Sequence, residues 1–431
     1  MKTIVFIGAN KSGSSYEAIK ASEELHYYTV LLTDRKTFFD KRMDFPHVHS
    51  MRMCNLENIN DTKSAIDRID QDRFTISAIV SFIDPYCHTA ALLSRTFGLK
   101  SFTPEAIELM LDKTQSREAL RETPYAPPFH VIDSNIPRAE TKLELPVVLK
   151  APQSSASKDV HVATTTGQYQ NAFANLRARY PKAPILVEKY IPNTQYLVET
   201  LTVNGKVHIV AIIRQEIIFS GRFIVTGYQV MNDDKSAFFC RLKQAVRGIV
   251  RAHDMHDGPC HLELRYFEKE WKLIEANPRI SGGAMNLLIE TAYGINLAKE
   301  TLKAALGQAP DLRRKHKKEA FLQYVVVPRA GTLLKVTGKN MAQSSPGIVQ
   351  VYVKPKKGSV LMPPVSMGHR YAYVIGTGGS ADEARTNAKA GASKIKFHLR
   401  AKPTAEITNG ADKDGGYSDL DYFSNNIVCE S

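Results

Sequence analysis

The sequence predicts an α/β protein that opens on a parallel sheet, and the alternation of its first hundred residues carries that reading. Short β-branched runs at Thr3–Ile7, Tyr28–Leu32 and Ala78–Ser81 alternate with amphipathic stretches at Ser15–Leu25 and Thr89–Phe97. Strands that alternate with helices form βαβ units, whose crossovers make the strands parallel. Further along, strand-rich stretches separated by turn signals lead into a smaller α/β module over residues 320–400.

Each element has a local reason. The apolar stretch after Lys2 ends at Gly8 and reads as a buried strand rather than a leader. Gly8 and Gly13, with Ser12, Ser14 and Ser15, sit where a phosphate loop would stand, but the spacing departs from G-x-G-x-x-G and predicts a tight strand-to-helix turn. A helical segment spans Pro104–Thr123, and the connector Pro124-Tyr125-Ala126-Pro127-Pro128 follows. Strands are expected at Val147–Lys150, His161–Ala163, Ile185–Tyr190, Tyr196–Val203 and Val207–Ile213, the last two joined by an Asn204-Gly205 hairpin turn. A helix over Asp234–Ala252 precedes a strand pair, His261–Tyr266 and Trp271–Glu275. One helix is expected over Ile289–Leu306 and another over Ala381–Leu399, with a loosely held tail over the last thirty residues.

Composition narrows the class. The 431 residues are 43% hydrophobic and 23% charged, as in soluble globular chains, which excludes disorder and collagen-like repeats. No apolar run approaches the roughly 20 residues of a membrane helix. The cysteines Cys54, Cys87, Cys240, Cys260 and Cys429 are odd in number and widely spaced, which fits a reducing cytosol and excludes a disulfide framework or a Cys-based zinc site. Much of the net charge of +13 is local, in Arg313-Arg314-Lys315-His316-Lys317-Lys318 and in Lys354, Lys356 and Lys357, with no interleaved aromatics to stack on bases. These runs read as solvated connectors, so neither nucleic acid nor membrane is an expected partner.

The chemistry concentrates at Glu263 and Glu275-Ala276-Asn277-Pro278-Arg279. On adjacent antiparallel strands Glu263 and Glu275 can face one side, with Asn277 two residues beyond on the same face. Two carboxylates and an amide oxygen suit Mg²⁺ held between protein and phosphate oxygens. Arg279 adds a permanent, fork-shaped cation suited to charge on a transferred phosphoryl group.

With Glu275-Ala276-Asn277-Pro278-Arg279 standing as E-x-N-x-R, residues 1–400 resemble the ATP-grasp ligases, and most closely the L-amino-acid ligases that form dipeptides. The resemblance implies an ATP-grasp fold. Residues 1–110 would be an N-terminal parallel-sheet (pre-ATP-grasp) domain, 111–188 a central ATP lid, 189–402 a large subdomain with a C-terminal α/β module, and 403–431 a tail. It implies that Lys113, after Asp112, and Lys150, ending Pro146–Lys150, contact phosphates, with Arg117 one turn beyond Lys113. Ser154, Ser155 and Ser157 would lie in the phosphate-covering loop, where Ala156 and Asp159 replace glycines of relatives. Glu188 would accept from the adenine amine beside the backbone of Tyr190 and Ile191, and Gln195 would take the ribose hydroxyls. Ser281, Gly282 and Gly283 would form the turn near the carboxylate substrate. Tyr228 follows Gly227 where relatives have Gly-His near the substrate.

The cofactors so implied are ATP and Mg²⁺, with Mn²⁺ as a substitute, and the metal ligands are Glu263, Glu275 and Asn277. Arg279 would be catalytic. The implied reaction converts a carboxylate into an acyl-phosphate and joins it to an amine, releasing ADP and phosphate. A purine-biosynthetic or glutathione-type ligase, or a nucleotide-binding regulatory protein without turnover, are the alternatives. Three features keep two readings each. Arg214 with Glu216 binds an amino acid or forms a surface ion pair. His261 touches ligand or is structural. Gly376-Thr377-Gly378-Gly379 is a phosphate loop or a turn before a helix cap. The partners expected are small-molecule carboxylates and amines, with room for a homodimer.

Overall fold

The computed structural model describes residues 1–71, 74–137, 140–152, 159–219, 223–232, 235–364 and 366–401. The chain divides into two compact units, one of residues 1–213 and 231–317 and one of residues 214–230 with the chain from Lys318 onward.

The first unit begins with the expected parallel sheet. Strands Lys2–Ile7, Tyr28–Thr33, Ser50–Met53 and Thr75–Val80 lie in the order 50–53, 28–33, 2–7, 75–80, all parallel. The strands of 2–7 and 28–33 are buried almost throughout, as strands covered on both faces must be. Sequence order reverses between 2–7 and 75–80, and the turns leaving their carboxyl ends at this switch point lead into helices Ser14–Glu24 and Asp84–Thr96. Such a crevice is where open α/β sheets receive ligands. Strand Ser50–Met53, unread in the sequence, is a sheet edge without β-branched residues.

The helical segment over Pro104–Thr123 is two helices, Pro104–Leu111 and Lys113–Ala119. Asp112 between them is extended, and its carboxylate accepts from the Thr114 and Gln115 N–H groups, so it starts the second helix rather than continuing the first. An antiparallel sheet follows, ordered Phe129–Ile132, Ile185–Lys189, Val147–Lys150, Val160–Ala163. Helix Thr166–Arg179, started by a Thr165–Gln168 capping box, packs Tyr169, Phe173 and Leu176 against it.

A core of this unit lies between helix Ala237–Ala252 and strands Gln195–Val203, Gly258–Phe267 and Glu270–Asn277. The hairpin into strand Lys206–Phe219 turns at Asn204 and Gly205, both at positive φ, as a two-residue turn requires. The single helix expected over Ile289–Leu306 is broken at Gly294, which at φ +68° caps Met285–Tyr293 before Leu297–Ala305 begins. The basic run does structural work here. The Lys315 N–H donates to the Tyr293 carbonyl at 2.9 Å, and the Arg314 guanidinium lies 4.0 Å over the Tyr293 ring.

In the second unit, Phe223–Val230, Glu319–Val325, Ala372–Gly378 and Ile348–Val353 are neighbours in that order. Helix Ala381–Lys394 packs on this sheet and stops at Lys394, short of the expected Leu399, because Lys396–Arg400 pairs with Gly331–Thr337. Gly376 lies in strand: a Cβ there would stand 2.7 Å from the Ala388 nitrogen of the helix. Ser380 then caps the helix through the Glu383 N–H, so the glycine stretch is a packing surface and a cap, not a phosphate loop.

Candidate active site

Strands Gln195–Val203, Gly258–Phe267 and Glu270–Asn277 lie side by side, and their two faces differ completely. Cys260, Leu262, Leu264, Trp271, Leu273 and Ala276 point into the core. The opposite face collects Gln195, Glu199, His261, Glu263, Arg265, Glu275 and Asn277, with Glu199 opposite His261, Gln195 opposite Arg265, Glu263 opposite Glu275 and His261 opposite Asn277.

A bulge makes this possible. Leu273 and Glu275 have the same parity, so a regular strand would turn both to the core. The pairing Glu263 with Glu275 is followed by Leu264 with Leu273, which leaves Ile274 as an extra residue. One inserted residue reverses the faces beyond it, and Glu275 and Asn277 emerge beside Glu263. The Ile274 carbonyl, released from the ladder, accepts from Arg117 Nη2 at 2.6 Å and Lys150 Nζ at 3.5 Å.

A row of charges runs across the site face. Glu199, fully buried, accepts from the Ser281 N–H at 3.1 Å and pairs with His261 Nδ1 at 2.5 Å. His261 Nε2 lies 3.5 Å from Glu263. Burial alone would lower the His261 pKa, but Glu199 and Glu263 outweigh it and raise it to about 10. Burial would likewise raise Glu263, and His261 holds it below the usual carboxylate range. The Gln195 amide donates to Glu263 and accepts from Arg265 Nε at 3.0 Å, and Arg265 Nη1 reaches the Ile191 carbonyl at 2.7 Å.

Below the bulge lies a second cluster. Lys150 ends its strand and Arg117 sits in helix Lys113–Ala119, and both pair with the Glu188 carboxylate, only 3% exposed. Burial would raise the Glu188 pKa, but Arg117 and Lys150 keep it lowered. The Glu188 oxygens, read from the sequence as acceptors for the adenine amine, here face two buried cations. Gln195, read as a ribose contact, has both ends of its amide engaged, by Glu263 and Arg265. The Tyr190 N–H also has a partner, the Pro146 carbonyl at 3.0 Å. Ile191 is buried, and among the described residues its N–H has none.

The other residues read from the sequence divide. Lys113 stands at the start of its helix with Nζ 3.3 Å from Glu275 Oε1. Ser281, Gly282 and Gly283 form the turn after Arg279, where the Ser281 carbonyl accepts from Ser14 Oγ. Arg214 and Tyr228 belong to the second unit. There Glu216 pairs with Arg385 and Lys389 of helix Ala381–Lys394, which leaves it no role as Arg214's partner. Ser154, Ser155 and Ser157 lie outside the described residues. Glu199, Arg265 and Asp84 were missed; the alternation Gln195, Leu197, Glu199 on a strand facing Glu263 was the available signal for Glu199.

No group of three or more His, Cys, Asp and Glu side chains among the described residues forms a metal cage. The donors present are two partly exposed carboxylates and an amide, the set that fits Mg²⁺ completed by phosphate and water.

The ATP-grasp domain family matches residues 143–286, which hold this site, and the family described as L-amino acid ligase C-terminal domain 2 matches residues 323–400. The chain thus carries an ATP-grasp domain followed by an L-amino acid ligase C-terminal domain. It is 23% identical over 410 residues to a Sinorhizobium fredii (strain NBRC 101917 / NGR234) protein called "Uncharacterized protein y4rH", covering 89% of this chain and 80% of that one. It is 22% identical over 234 residues to the L-arginine-specific L-amino acid ligase of Bacillus subtilis, covering 53% of this chain and 56% of that one, little more than half of each. The fold matches the crystal structure of the L-amino acid ligase from Bacillus licheniformis with a TM-score of 0.79 at 18% identity, over 93% of this chain and 99% of that one. No helix among the described residues is long and apolar enough to cross a membrane.

Proposed function

We propose that this chain is an ADP-forming ligase that activates the carboxylate of an amino acid as an acyl-phosphate and joins it to an amine. The observation that carries the reading is the direct opposition of Glu263 and Glu275, with Asn277 and Arg279 following on the same chain segment. Glu263, Glu275 and Asn277 would hold Mg²⁺, which when bound neutralises phosphate charge; Mn²⁺ would substitute through the same hard oxygen ligands.

The chain's own residues do the positioning. Lys113 and Lys150 would reach the phosphates, and the Ile191 N–H, without a partner among the described residues, would read the adenine ring, with Glu188 orienting Lys150. Ser154, Ser155 and Ser157 would cover the phosphates. A carboxylate oxygen of the substrate attacks the γ-phosphorus and the bond to the β-phosphate oxygen breaks, leaving ADP. The amine nitrogen then attacks the acyl carbon, phosphate departs, and the nitrogen loses a proton. Arg279 faces the negative charge of both steps, and the Ser281–Gly283 turn receives the carboxylate substrate.

A covalent acyl-enzyme has little support. Burial pushes the thiols of Cys87 and Cys260 up to about 12, which keeps them protonated and poorly nucleophilic. An amino-acid substrate draws on the L-amino acid ligase domain and on the Bacillus subtilis relative. The test is phosphate release from MgATP in pairwise combinations of L-amino acids. Release that depends on a particular pair supports the proposal, and release indifferent to every amino acid sinks it.

A further inference from the structure

The Arg279 guanidinium is gripped from the N-terminal domain. Its Nη2 donates to Asp84 Oδ2 at 2.6 Å, and its Nε lies 2.5 Å from Asp84 Oδ1 in an ion-pair contact that lacks hydrogen-bond alignment, so the carboxylate flanks one edge of the fork. Nη1 donates to the Ile280 carbonyl at 3.1 Å. A guanidinium has five N–H groups in a fixed plane. Two of these donate hydrogen bonds and the Nε–H stands in ion-pair contact with Asp84, while the remaining two N–H groups have no partner among the described residues. An arginine on a single-bonded chain sweeps many rotamers, whereas one clamped side-on has its plane fixed and keeps donors for a second anion.

Asp84 is well placed to be that clamp. It is the first residue of helix Asp84–Thr96, which follows strand Thr75–Val80 at the switch point of the parallel sheet. The helix N-terminus favours its negative charge, and Pro85 starts the helix without needing an N–H partner. The same edge of the domain makes a second contact through Gly13 and Ser14 on the Ser281–Gly283 turn.

We propose that Asp84 is a positioning residue for the ligase reaction: it fixes the plane of Arg279 so that the free edge of the guanidinium meets the transferring phosphoryl group. The N-terminal domain therefore supplies part of the reaction geometry and is more than a support. This inference rests on the ligase reading for its kinetic arm only.

The test compares wild type, Asp84→Asn and Asp84→Glu in MgATP-dependent hydroxamate formation, with L-alanine and propionate as probe acids and hydroxylamine as the amine. Asp84→Asn should lower kcat by about 10- to 100-fold, the cost of misplacing a catalytic group. KM for ATP and the thermal midpoint should stay as in wild type. Asp84→Glu, which keeps the charge, should recover part of the rate. An activity-independent arm uses ¹⁵N-arginine labelling: the Arg279 Nη–H signals, identified by their loss in Arg279→Gln, should exchange slowly with water in wild type and rapidly in Asp84→Asn. Unchanged exchange or unchanged kcat in Asp84→Asn overturns the proposal. So does a loss confined to L-alanine with propionate spared, which would make Asp84 a receptor for the substrate ammonium. If wild type forms no hydroxamate, the ligase reading is in question, and the exchange arm still decides whether Asp84 holds Arg279.

Discussion

Glu263 and Glu275 stand directly opposite each other on antiparallel strands because Ile274 is bulged out of the ladder between them and the core. The same bulge frees the Ile274 carbonyl for Arg117 and Lys150. One backbone irregularity thus sets the spacing of the carboxylate pair and ties it to the buried cations beneath.

Glu275→Gln keeps the shape of the side chain and removes its charge. Turnover should fall on the order of a hundredfold or more, as when a charge that stabilises the transition state is lost. The melting curve should change little, because Glu275 is partly exposed and the pair it forms with Lys113 lies near the surface at 3.3 Å. Near-normal product formation would contradict the metal assignment.

Glu188→Gln should act on stability first. Removing the carboxylate leaves Arg117 and Lys150 buried without their counter-charge, and breaking a buried pair costs about 3–5 kcal/mol. The folded Glu188 pKa is lowered, so its contribution is present above the ordinary carboxylate pKa and is lost as pH falls through the folded value. Thermal melts near neutral pH should show the deficit in full, and equal melting of variant and wild type there would refute the buried-triad role.

His253 makes the fold acid-sensitive. It is fully buried, with Nδ1 donating to the Ile249 carbonyl and Nε2 accepting from Ser116, and burial lowers its pKa to about 4. Between the unfolded value near 6.5 and that folded value, the unfolded chain takes up a proton the folded chain refuses. Stability should therefore fall as pH drops across that window, by about 3 kcal/mol in all. The wild-type melting temperature measured from pH 7 to pH 4 should decline more steeply than that of His253→Gln; parallel curves would count against the assignment.

Gly13 at φ +83° and ψ −162° occupies a region that only glycine enters freely, and a Cβ there would stand 3.0 Å from the Gly283 nitrogen. Gly13→Ala should cost about 1–3 kcal/mol and displace the Ser281–Gly283 turn, lowering turnover. Gly98→Ala, also at positive φ but with open space around it, is the control and should leave turnover intact. Equal activity of the two variants would separate the turn from the chemistry.

Most of the fold was legible because it follows from periodicity: the alternating strands and helices of the first hundred residues, the Asn204-Gly205 hairpin and the Glu263/Glu275 strand pair all lie where the pattern put them. The helix breaks at Asp112 and Gly294 were less so, since an apolar helical period runs through both and a cap overrides it. At the site, the strand pattern puts Glu263, Glu275 and Asn277 on one face, as the register has them, but says nothing of the direction of the side chains around them. Glu188, in an otherwise apolar strand, gave no sign that its carboxylate turns inward to Arg117 and Lys150. Asp84 lies 195 residues from Arg279, and only the folded chain brings the two together.

The most direct test of the proposed reaction is the nucleotide product formed in step with ligation. With MgATP, hydroxylamine and a mixture of L-amino acids, the Glu263, Glu275 and Arg279 arrangement predicts an amino-acid hydroxamate with ADP and inorganic phosphate in equal amounts. AMP and pyrophosphate in step with the hydroxamate would mean attack at the α-phosphorus and would contradict the acyl-phosphate mechanism.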